Sequence, residues 1–303
     1  KRIAVIDLGT NTCLLLISEL VSGKVITVGD FQEAPRLGKG VDKEKKISDS
    51  MFGIIKDVFL RYKQICAENR CDHIFAFGTS ALRDALNRDE FVEYIHAETG
   101  IEIKITGGKK EARFAFEGAL IDYPSKSNRI VLDKGVGSTE VSLLNNGRFT
   151  SISMDIGSVR LKEKFFEESY SIENLEKAEQ FILHNFISLA YLNLQNYNLV
   201  GVAGTVTTLS AINMDLNKFE AGKVNQSTLR LSDVERIFTR LTEMREVQIK
   251  SLGEYMTGRS DIITAGAFIL LQFMKHFKFE KITVSTKGLR YGAALEIFSS
   301  HFF

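Results

Sequence analysis

The sequence predicts an α/β fold built from two similar lobes. Segments rich in Val, Ile and Leu alternate with segments whose apolar residues recur at helical spacing, a pattern typical of strands covered by helices. The order apolar strand, Asp, small-residue loop, strand occurs twice, around Asp7 and around Asp133. An internal duplication is the economical explanation, and it predicts two lobes with a cleft between them.

The first half of the chain opens with three strands and continues with helices and strands in alternation. Ser22–Gly23 predicts a tight turn in the opening, and Asn87 with Glu90 predicts a capping box at a helix start. Pro124 and the polar residues after it mark the expected end of a first domain over 1–124. The expected elements are three strands within 2–31, a helix over 48–70, a strand with a turn and short helix within 73–87, a helix closed by Gly100, a strand over 102–106 and a helix from Gly107.

The second domain, expected over 125–303, begins in the same way as the first. Residues 129–157 predict strand, loop, strand, a hairpin turn at Asn146–Gly147 and a third strand. The rest of this domain is mostly helical by pattern. The expected elements are helices over about 158–170, 173–195, 205–215, 232–246 and 260–277, a strand over 281–285 and a helix from Gly288.

Length and composition restrict the class of protein. A chain of 303 residues with 44% hydrophobic and 25% charged residues suits two globular domains, and a net charge of +1 argues against a large nucleic-acid-binding surface. Cys13, Cys66 and Cys71 show no CxxC spacing, which argues against a disulfide framework or a zinc site. With no signal-peptide pattern and no apolar run of roughly 18 residues, we expect a cytoplasmic protein without a membrane partner.

The two small-residue loops are the best candidates for a functional site in the chain. Each follows a strand that carries an aspartate, and glycines with hydroxyl side chains let backbone N–H groups surround an anionic oxygen. A carboxylate beside such a loop cannot hold phosphate without a cation, and Mg²⁺ bound by one or two carboxylates and by substrate oxygens resolves that conflict. The simpler interpretation is that each loop is only a tight turn.

Six segments resemble, in order, the motifs of the exopolyphosphatase/guanosine pentaphosphate phosphatase (Ppx/GppA) family, in its short two-domain form. Together they extend over nearly the whole chain. They are VIDLGTNT (5–12), FGTSALRDALN (77–87), ITGGKKEARFAFEGAL (105–120), VLDKGVGSTEV (131–141), AGTVTTLSAI (203–212) and STKGLRYGAALEIF (285–298).

The resemblance implies a fold, an activity and partners. The fold would be two ribonuclease-H-like lobes of the actin, sugar-kinase and heat-shock ATPase superfamily around an interdomain cleft. The activity would be Mg²⁺-dependent hydrolysis of the terminal phosphate of inorganic polyphosphate, of the guanosine alarmone pppGpp, or of both. A homodimer is expected from the resemblance alone.

Site roles carry over from the family motifs to matching residues. Glu111 matches the catalytic glutamate, a general base that would activate water, although a glutamate in a first helical turn also complements the helix dipole. Arg83 matches a phosphate-binding arginine, with a surface ion pair to Asp84 or Asp89 as the alternative. The other expected phosphate-binding residues are Gly9, Thr10, Asn11, Thr12, Gly135, Gly137, Ser138 and Thr139. The expected metal ligands are Asp133, Glu140 and Asp7.

The sequence departs from the family pattern at several positions. Lys134 replaces an apolar residue, and Val136 replaces the middle one of three glycines, where a positive φ would exclude valine. A buried Lys134 requires partners, for which Asp133, Glu140 and the substrate are all candidates. Leu14 replaces an arginine found in many relatives. The Gly204–Thr205 loop could contact a nucleotide or could be an ordinary turn with a threonine cap.

Two other functions compete with the phosphohydrolase. A non-catalytic sensor would bind polyphosphate or a guanosine alarmone through the altered second loop without turnover. A small-molecule kinase of the same superfamily would transfer phosphate from ATP to an acceptor. Glu111 and the order of the motifs favour the phosphohydrolase over the kinase.

Overall fold

A computed structural model describes residues 1–38 and 41–300 of the chain. The chain divides into two compact units. Unit 1 comprises Lys1–Gly118 and the segment that begins at Leu289, and unit 2 comprises Ala119–Gly288. Each unit has its own hydrophobic core, formed where helices cover its sheet. Among the helices so described, none combines the length and apolar character needed to cross a bilayer.

Unit 1 is a mixed five-stranded sheet with helices. Its strands are β1 (Arg2–Leu8), β2 (Cys13–Val21), β3 (Lys24–Glu33), β4 (His73–Gly78) and β5 (Ile103–Ile105). Its helices are α1 (Val41–Glu44), α2 (Asp49–Glu68), α3 (Ser80–Asp84), α4 (Arg88–Thr99), α5 (Gly108–Ala119) and α13 (Leu289–Ser299). The strand order is β3–β2–β1–β4–β5, with β1 antiparallel to β2 and parallel to β4. Residues 3–6 of the central strand β1 are all fully buried, as expected for a strand covered on both faces.

Unit 2 is a mixed six-stranded sheet with more helices. Its strands are β6 (Arg129–Lys134), β7 (Thr139–Asn145), β8 (Arg148–Met154), β9 (Asn198–Val202), β10 (Thr228–Arg230) and β11 (Lys281–Val284). Its helices are α6 (Ser158–Phe165), α7 (Ile172–Phe186), α8 (Gly204–Asn213), α9 (Ala221–Val224), α10 (Leu231–Thr242), α11 (Glu246–Lys250) and α12 (Ile263–His276). Short 3-10 segments occupy Ile187–Leu189, Leu194–Asn196 and Glu254–Met256.

The two sheets share one topology, which confirms the expected α/β fold and supports the expected duplication. In each unit three consecutive strands form an antiparallel meander, β1–β2–β3 and β6–β7–β8. The first strand of each meander then pairs in parallel with a later strand, β4 or β9, which pairs in parallel with β5 or β11. This is the ribonuclease-H-like order, and unit 2 adds β10 as an antiparallel edge strand.

Local turn chemistry explains where the meanders fold back. Ser22 and Gly23 have φ angles of 50° and 76°, and Asn146 and Gly147 have φ angles of 49° and 76°. Two consecutive left-handed residues form the hairpin turn whose twist matches that of the flanking strands. Gly100 ends α4 with a φ of 72°. These turns lie where the sequence predicts them.

Other local predictions are wrong because tertiary contacts override them. Asn87 caps no backbone N–H of α4; its side-chain amide instead accepts from the N–H and donates to the carbonyl of Ile47. The helix expected over 173–195 ends at Phe186 and gives way to 3-10 segments. The three-residue strand β10 was not predicted.

The compact units differ from the expected domains 1–124 and 125–303. The division falls after Gly118, and the last helix, α13, belongs with unit 1. Gly292 of α13 packs directly on the backbone of Phe114, so closely that a Cβ atom would lie 2.8 Å from the Phe114 Cα. Arg290 of the same helix donates to both carboxylate oxygens of Asp30, each at 2.8 Å. Such long-range contacts have no local signature in the sequence.

We predict that Gly292→Ala destabilises unit 1 by about 1–3 kcal/mol, because the added methyl group overpacks against the backbone of α5. The matched control is Gly53→Ala in α2, where a Cβ would meet nothing within 4 Å. This control should be neutral or stabilising by about 0.5–1 kcal/mol, because alanine favours the helix. Urea or thermal unfolding measures both variants, and equal stability of the two would contradict the packing.

Candidate active site

The first candidate loop follows β1 in unit 1. The N–H of Gly9 donates to the carbonyl of Thr12 at 2.9 Å, which closes residues 9–12 into a tight turn. Asp7 lies one residue before the end of β1, half-buried, with Leu14 opposite it on β2 and Phe77 beside it on β4. The arginine that many relatives carry at position 14 would therefore lie next to Asp7.

The segment after β3 fixes the orientation of the peptide groups in this loop. The N–H of Gly38 donates to the carbonyl of Thr10 at 2.8 Å, and the N–H of Arg36 donates to the carbonyl of Asn11 at 3.1 Å. In a trans peptide the C=O and the following N–H point in opposite directions. The N–H groups of Asn11 and Thr12 therefore face away from segment 36–38. That segment supports the loop, and the sequence did not identify it.

A second group of unit 1 residues lies at the ends of β4 and β5. Arg83 of α3 donates through Nη1 to Glu111 Oε2 at 2.8 Å and to the carbonyl of Thr106 at 3.0 Å. Its Nε lies 3.8 Å from Asp84 Oδ1, so the Asp84 contact is the weaker one. Both Arg83 and Glu111 keep over a quarter of their side chains exposed. The predicted phosphate-binding arginine therefore holds the predicted general base.

Hydroxyl groups connect this group to the first loop. Thr10 Oγ1 and Ser80 Oγ lie 2.8 Å apart, and Thr79 Oγ1 donates to the carbonyl of Leu8 at 3.4 Å. The turn after β4 therefore lies beside the turn after β1. This contact follows from the parallel pairing of the two strands, which brings their carboxyl ends to one edge of the sheet.

Asp7 is electrostatically coupled to Glu111 and to the last helix. Burial raises the pKa of Asp7 to about 7, the nearby Glu111 carboxylate adds to the rise, and the Arg290 guanidinium opposes it. Arg290 is itself buried, and its Nε makes no hydrogen bond within the described part of the chain. The sequence did not identify this charge near Asp7.

In unit 2 two predicted metal ligands face each other across a strand pair. Asp133 of β6 lies directly opposite Glu140 of β7, and directly opposed residues of antiparallel strands point to the same face of the sheet. Ser153 of β8 donates to Glu140 Oε1 at 2.7 Å. Two carboxylates in this arrangement repel each other, and a shared cation would relieve the repulsion. Residues 1–38 and 41–300 contain no cluster of three or more His, Cys, Asp or Glu side chains suited to a metal.

The second loop, residues 135–138, has its carbonyl groups held on one side. The Gly135 carbonyl accepts from Lys134 Nζ at 2.7 Å, the Val136 carbonyl from the N–H of Val159 at 2.9 Å, and the Gly137 carbonyl from Arg160 Nε at 3.3 Å. The N–H groups of residues 136, 137 and 138 therefore point the opposite way. None of these three N–H groups donates a hydrogen bond among the described residues. Successive N–H groups oriented in this way form a nest for an anion.

The departures at Lys134 and Val136 leave this loop intact. The φ angle of Val136 is not positive, so valine is free of backbone strain there. Lys134 is 1% exposed and donates to Gly135 O and Ser158 Oγ. Burial lowers the pKa of its amine to about 7, and Glu140 and Asp133 oppose that shift. Because alternate residues of a strand point to opposite faces, its side chain lies on the face away from Asp133.

The structure places the side chains of Thr139 and Thr205 differently from the sequence-based expectation. The hydroxyl of Thr139 points inward and donates to the Ile156 carbonyl at 2.5 Å, so it does not line the loop. Thr205 is 7% exposed and does not cap α8, whose N-cap is Ala203 with a φ of 76°. Arg259 donates to the Gly204 carbonyl and to Thr208 Oγ1 at this helix start.

The predicted site residues thus form two groups, one in each unit. Unit 1 brings together the metal ligand Asp7, the loop residues Gly9 to Thr12, Arg83 and Glu111, and unit 2 brings together Asp133, Glu140 and the loop Gly135 to Ser138. The sequence did not identify the supporting segments, residues 36–38 and 157–160, although each contains a glycine that packs on the loop it supports. A Cβ on Gly38 would collide with Thr10, and a Cβ on Gly157 would collide with the Val136 carbonyl.

The two sheets define a duplicated ribonuclease-H-like α/β protein. The chain belongs to the Ppx/GppA phosphatase family, whose model matches residues 16–301. This membership confirms the family suggested by the motifs and, with it, the expected class of enzyme, a phosphohydrolase.

The similarity to known proteins covers nearly all of the chain. It is 33% identical to the bifunctional 3-dehydroquinate synthase/phosphatase of Fusobacterium nucleatum, across 97% of this chain and 46% of that protein, so it spans about half of that relative. It is 28% identical to exopolyphosphatase 2 of Mycobacterium tuberculosis, across 98% of both chains. The crystal structure of an exopolyphosphatase from Cytophaga hutchinsonii superposes with a TM-score of 0.89 at 25% identity, across 99% of this chain and 98% of that one.

We predict that Glu140→Gln raises the unfolding temperature in the presence of a chelator, because it removes a like-charge pair worth about 0.2–1 kcal/mol. The same variant should lose most of the temperature rise that Mg²⁺ gives the unaltered chain. The control is Glu176→Gln, the same change at an exposed position of α7, which should alter neither value. An undiminished Mg²⁺ response in Glu140→Gln would exclude Glu140 as a metal ligand.

Proposed function

We propose that this protein is a Mg²⁺-dependent phosphohydrolase that releases terminal orthophosphate from inorganic polyphosphate, pppGpp, or both, with Glu111 as the general base. The observation that supports the proposal best is the set of three N–H groups of the second loop, beside the paired carboxylates Asp133 and Glu140. Family membership supports the reaction class, and the name exopolyphosphatase of a relative supports the substrate class.

The second loop suits a terminal phosphate. Its outward N–H groups at residues 136–138 are neutral donors that keep their positions because their carbonyls are bonded elsewhere. Preorganised donors of this kind stabilise the charge on phosphoryl oxygens without further rearrangement. Gly137 adds room for a ligand, since a Cβ there would meet nothing within 4 Å. The hydroxyl of Ser138 makes no hydrogen bond to described residues and is a further donor.

The carboxylates of unit 2 fit Mg²⁺. Mg²⁺ is usually held by one or two protein carboxylates together with substrate phosphates and water, and the Asp133–Glu140 pair supplies two such ligands on one face of the sheet. When bound, the cation would neutralise phosphoryl charge. Asp7 is proposed as a third ligand because burial and Glu111 leave its carboxylate in need of positive charge.

Glu111 suits the role of general base because Arg83 orients it. The hydrogen bond between Arg83 Nη1 and Glu111 Oε2 fixes the orientation of the carboxylate, which as a general base would accept a proton from water. Arg83 Nη2 has no hydrogen bond within the described residues and can donate to a phosphate oxygen at the same time. Phosphoryl transfer depends mainly on such positioning and charge stabilisation.

We predict that Glu111→Gln lowers the rate of orthophosphate release from polyphosphate or pppGpp by about 10²–10⁴-fold, because a general base contributes that much. Binding of the substrate should persist. Glu117→Gln, the same change on the same helix, should keep its activity. Release assays and equilibrium binding measure both variants. Absence of release by the unaltered chain from either substrate, with binding retained, would favour the non-catalytic sensor.

A further inference from the structure

Lys134 contacts the second phosphate loop from the protein interior. Its side chain is 1% exposed, and Nζ donates to the Gly135 carbonyl at 2.7 Å and to Ser158 Oγ at the start of α6. Ser158 Oγ lies 3.5 Å from Thr205 Oγ1 on α8. The amine therefore connects the loop backbone to α6 and α8 and lies on the sheet face opposite to the metal carboxylates.

The first loop provides an internal comparison, because the two loops are related by the duplication. Aligned on Asp7 and Asp133, the Thr10 and Val136 carbonyls both accept from a backbone N–H of the supporting segment. The Asn11 carbonyl accepts from a backbone N–H, and the equivalent Gly137 carbonyl accepts from Arg160 Nε. At the third pair the Gly9 carbonyl accepts no hydrogen bond from a described residue, whereas the Gly135 carbonyl accepts from Lys134, which stands where the first loop has the apolar Leu8.

The direction of one peptide group follows from this contact. The Gly135 carbonyl and the Val136 N–H belong to the same trans peptide, so drawing the carbonyl inward turns the N–H outward. Valine at position 136 acts in the same sense, since a β-branched residue has fewer backbone conformations than the glycine usual in the family. Both departures from the family pattern therefore restrict the same peptide.

We propose that Lys134 is a positioning residue that, with Val136, preorganises the second loop by holding the Val136 N–H toward the phosphate. The inference rests on the proposed function of this loop as a phosphate site. The contact does not depend on the charge of the amine, because a neutral amine still has two N–H donors for its two acceptors. A preorganised donor strengthens binding because less conformational freedom is lost when the ligand arrives.

The test uses the full chain with the variants Lys134→Met and Val136→Gly. Methionine keeps the length and apolar character of the buried side chain and removes its donors. The control is Lys250→Met, the same change at an exposed position of α11. NMR order parameters of the backbone amides at 136–138 are measured without ligand, and tripolyphosphate binding is measured by calorimetry. The KM and kcat for orthophosphate release complete the set.

Both loop variants should lower the order parameters of the amides at 136–138 and bind tripolyphosphate roughly fivefold more weakly, the value of about one hydrogen bond. KM should rise by more than kcat falls, because the binding contact is loosened while Glu111 is untouched. Val136→Gly keeps the test decisive if Lys134→Met fails to fold.

The outcomes separate this inference from the proposed function. Unchanged order parameters and unchanged binding in both variants would overturn the positioning role while leaving the phosphohydrolase in place. Binding of tripolyphosphate by the unaltered chain without any release would overturn the catalytic proposal alone, and the effect of Lys134 on binding would still be measured. A chain that does not bind tripolyphosphate at all would overturn both.

Discussion

The orientation of a few peptide groups in two hairpin loops is the constraint on which the rest of the site depends. A backbone N–H can serve an anion only if the carbonyl of the same peptide is bonded on the other side. In both units that bonding comes from the segment that follows the third strand, residues 36–38 or 157–160. The two candidate loops therefore take this orientation only when the whole antiparallel meander is folded, and the loop sequence alone would not fix it.

The duplication gives the two units similar sheets, but the residue that faces the aspartate on the neighbouring strand differs between them. Asp7 faces Leu14 across β1 and β2, whereas Asp133 faces Glu140 across β6 and β7. Because Asp7 faces an apolar residue, its pKa is set by burial and by the nearby charges of Glu111 and Arg290. Two opposed carboxylates are suited to a divalent cation. One topology thus places Asp7 near Glu111 in one unit and the opposed pair Asp133 and Glu140 in the other.

Much of the fold could be predicted from the sequence because its signals are local. The turns at Ser22–Gly23 and Asn146–Gly147 need left-handed residues, and the meanders follow from them. The Arg83–Glu111 contact, the Asn87–Ile47 pairing and the association of α13 with unit 1 join distant residues, so no local pattern predicts them. The partners of Lys134 stayed open for the same reason: all three candidates were charged groups, and the structure supplies a carbonyl and a hydroxyl.

Burial disfavours the charged forms of Asp7 in unit 1 and of Lys134 in unit 2. It raises the pKa of Asp7 to about 7 and lowers that of Lys134 to about 7. Ala203 adds a backbone conformation that usually requires glycine, with φ and ψ of 76° and 174°. Selection for stability alone would favour an apolar residue in place of Asp7 and of Lys134, and glycine in place of Ala203. Asp7 and Lys134 each border one of the two candidate loops, and such exceptions are expected where function, rather than packing, decides the residue.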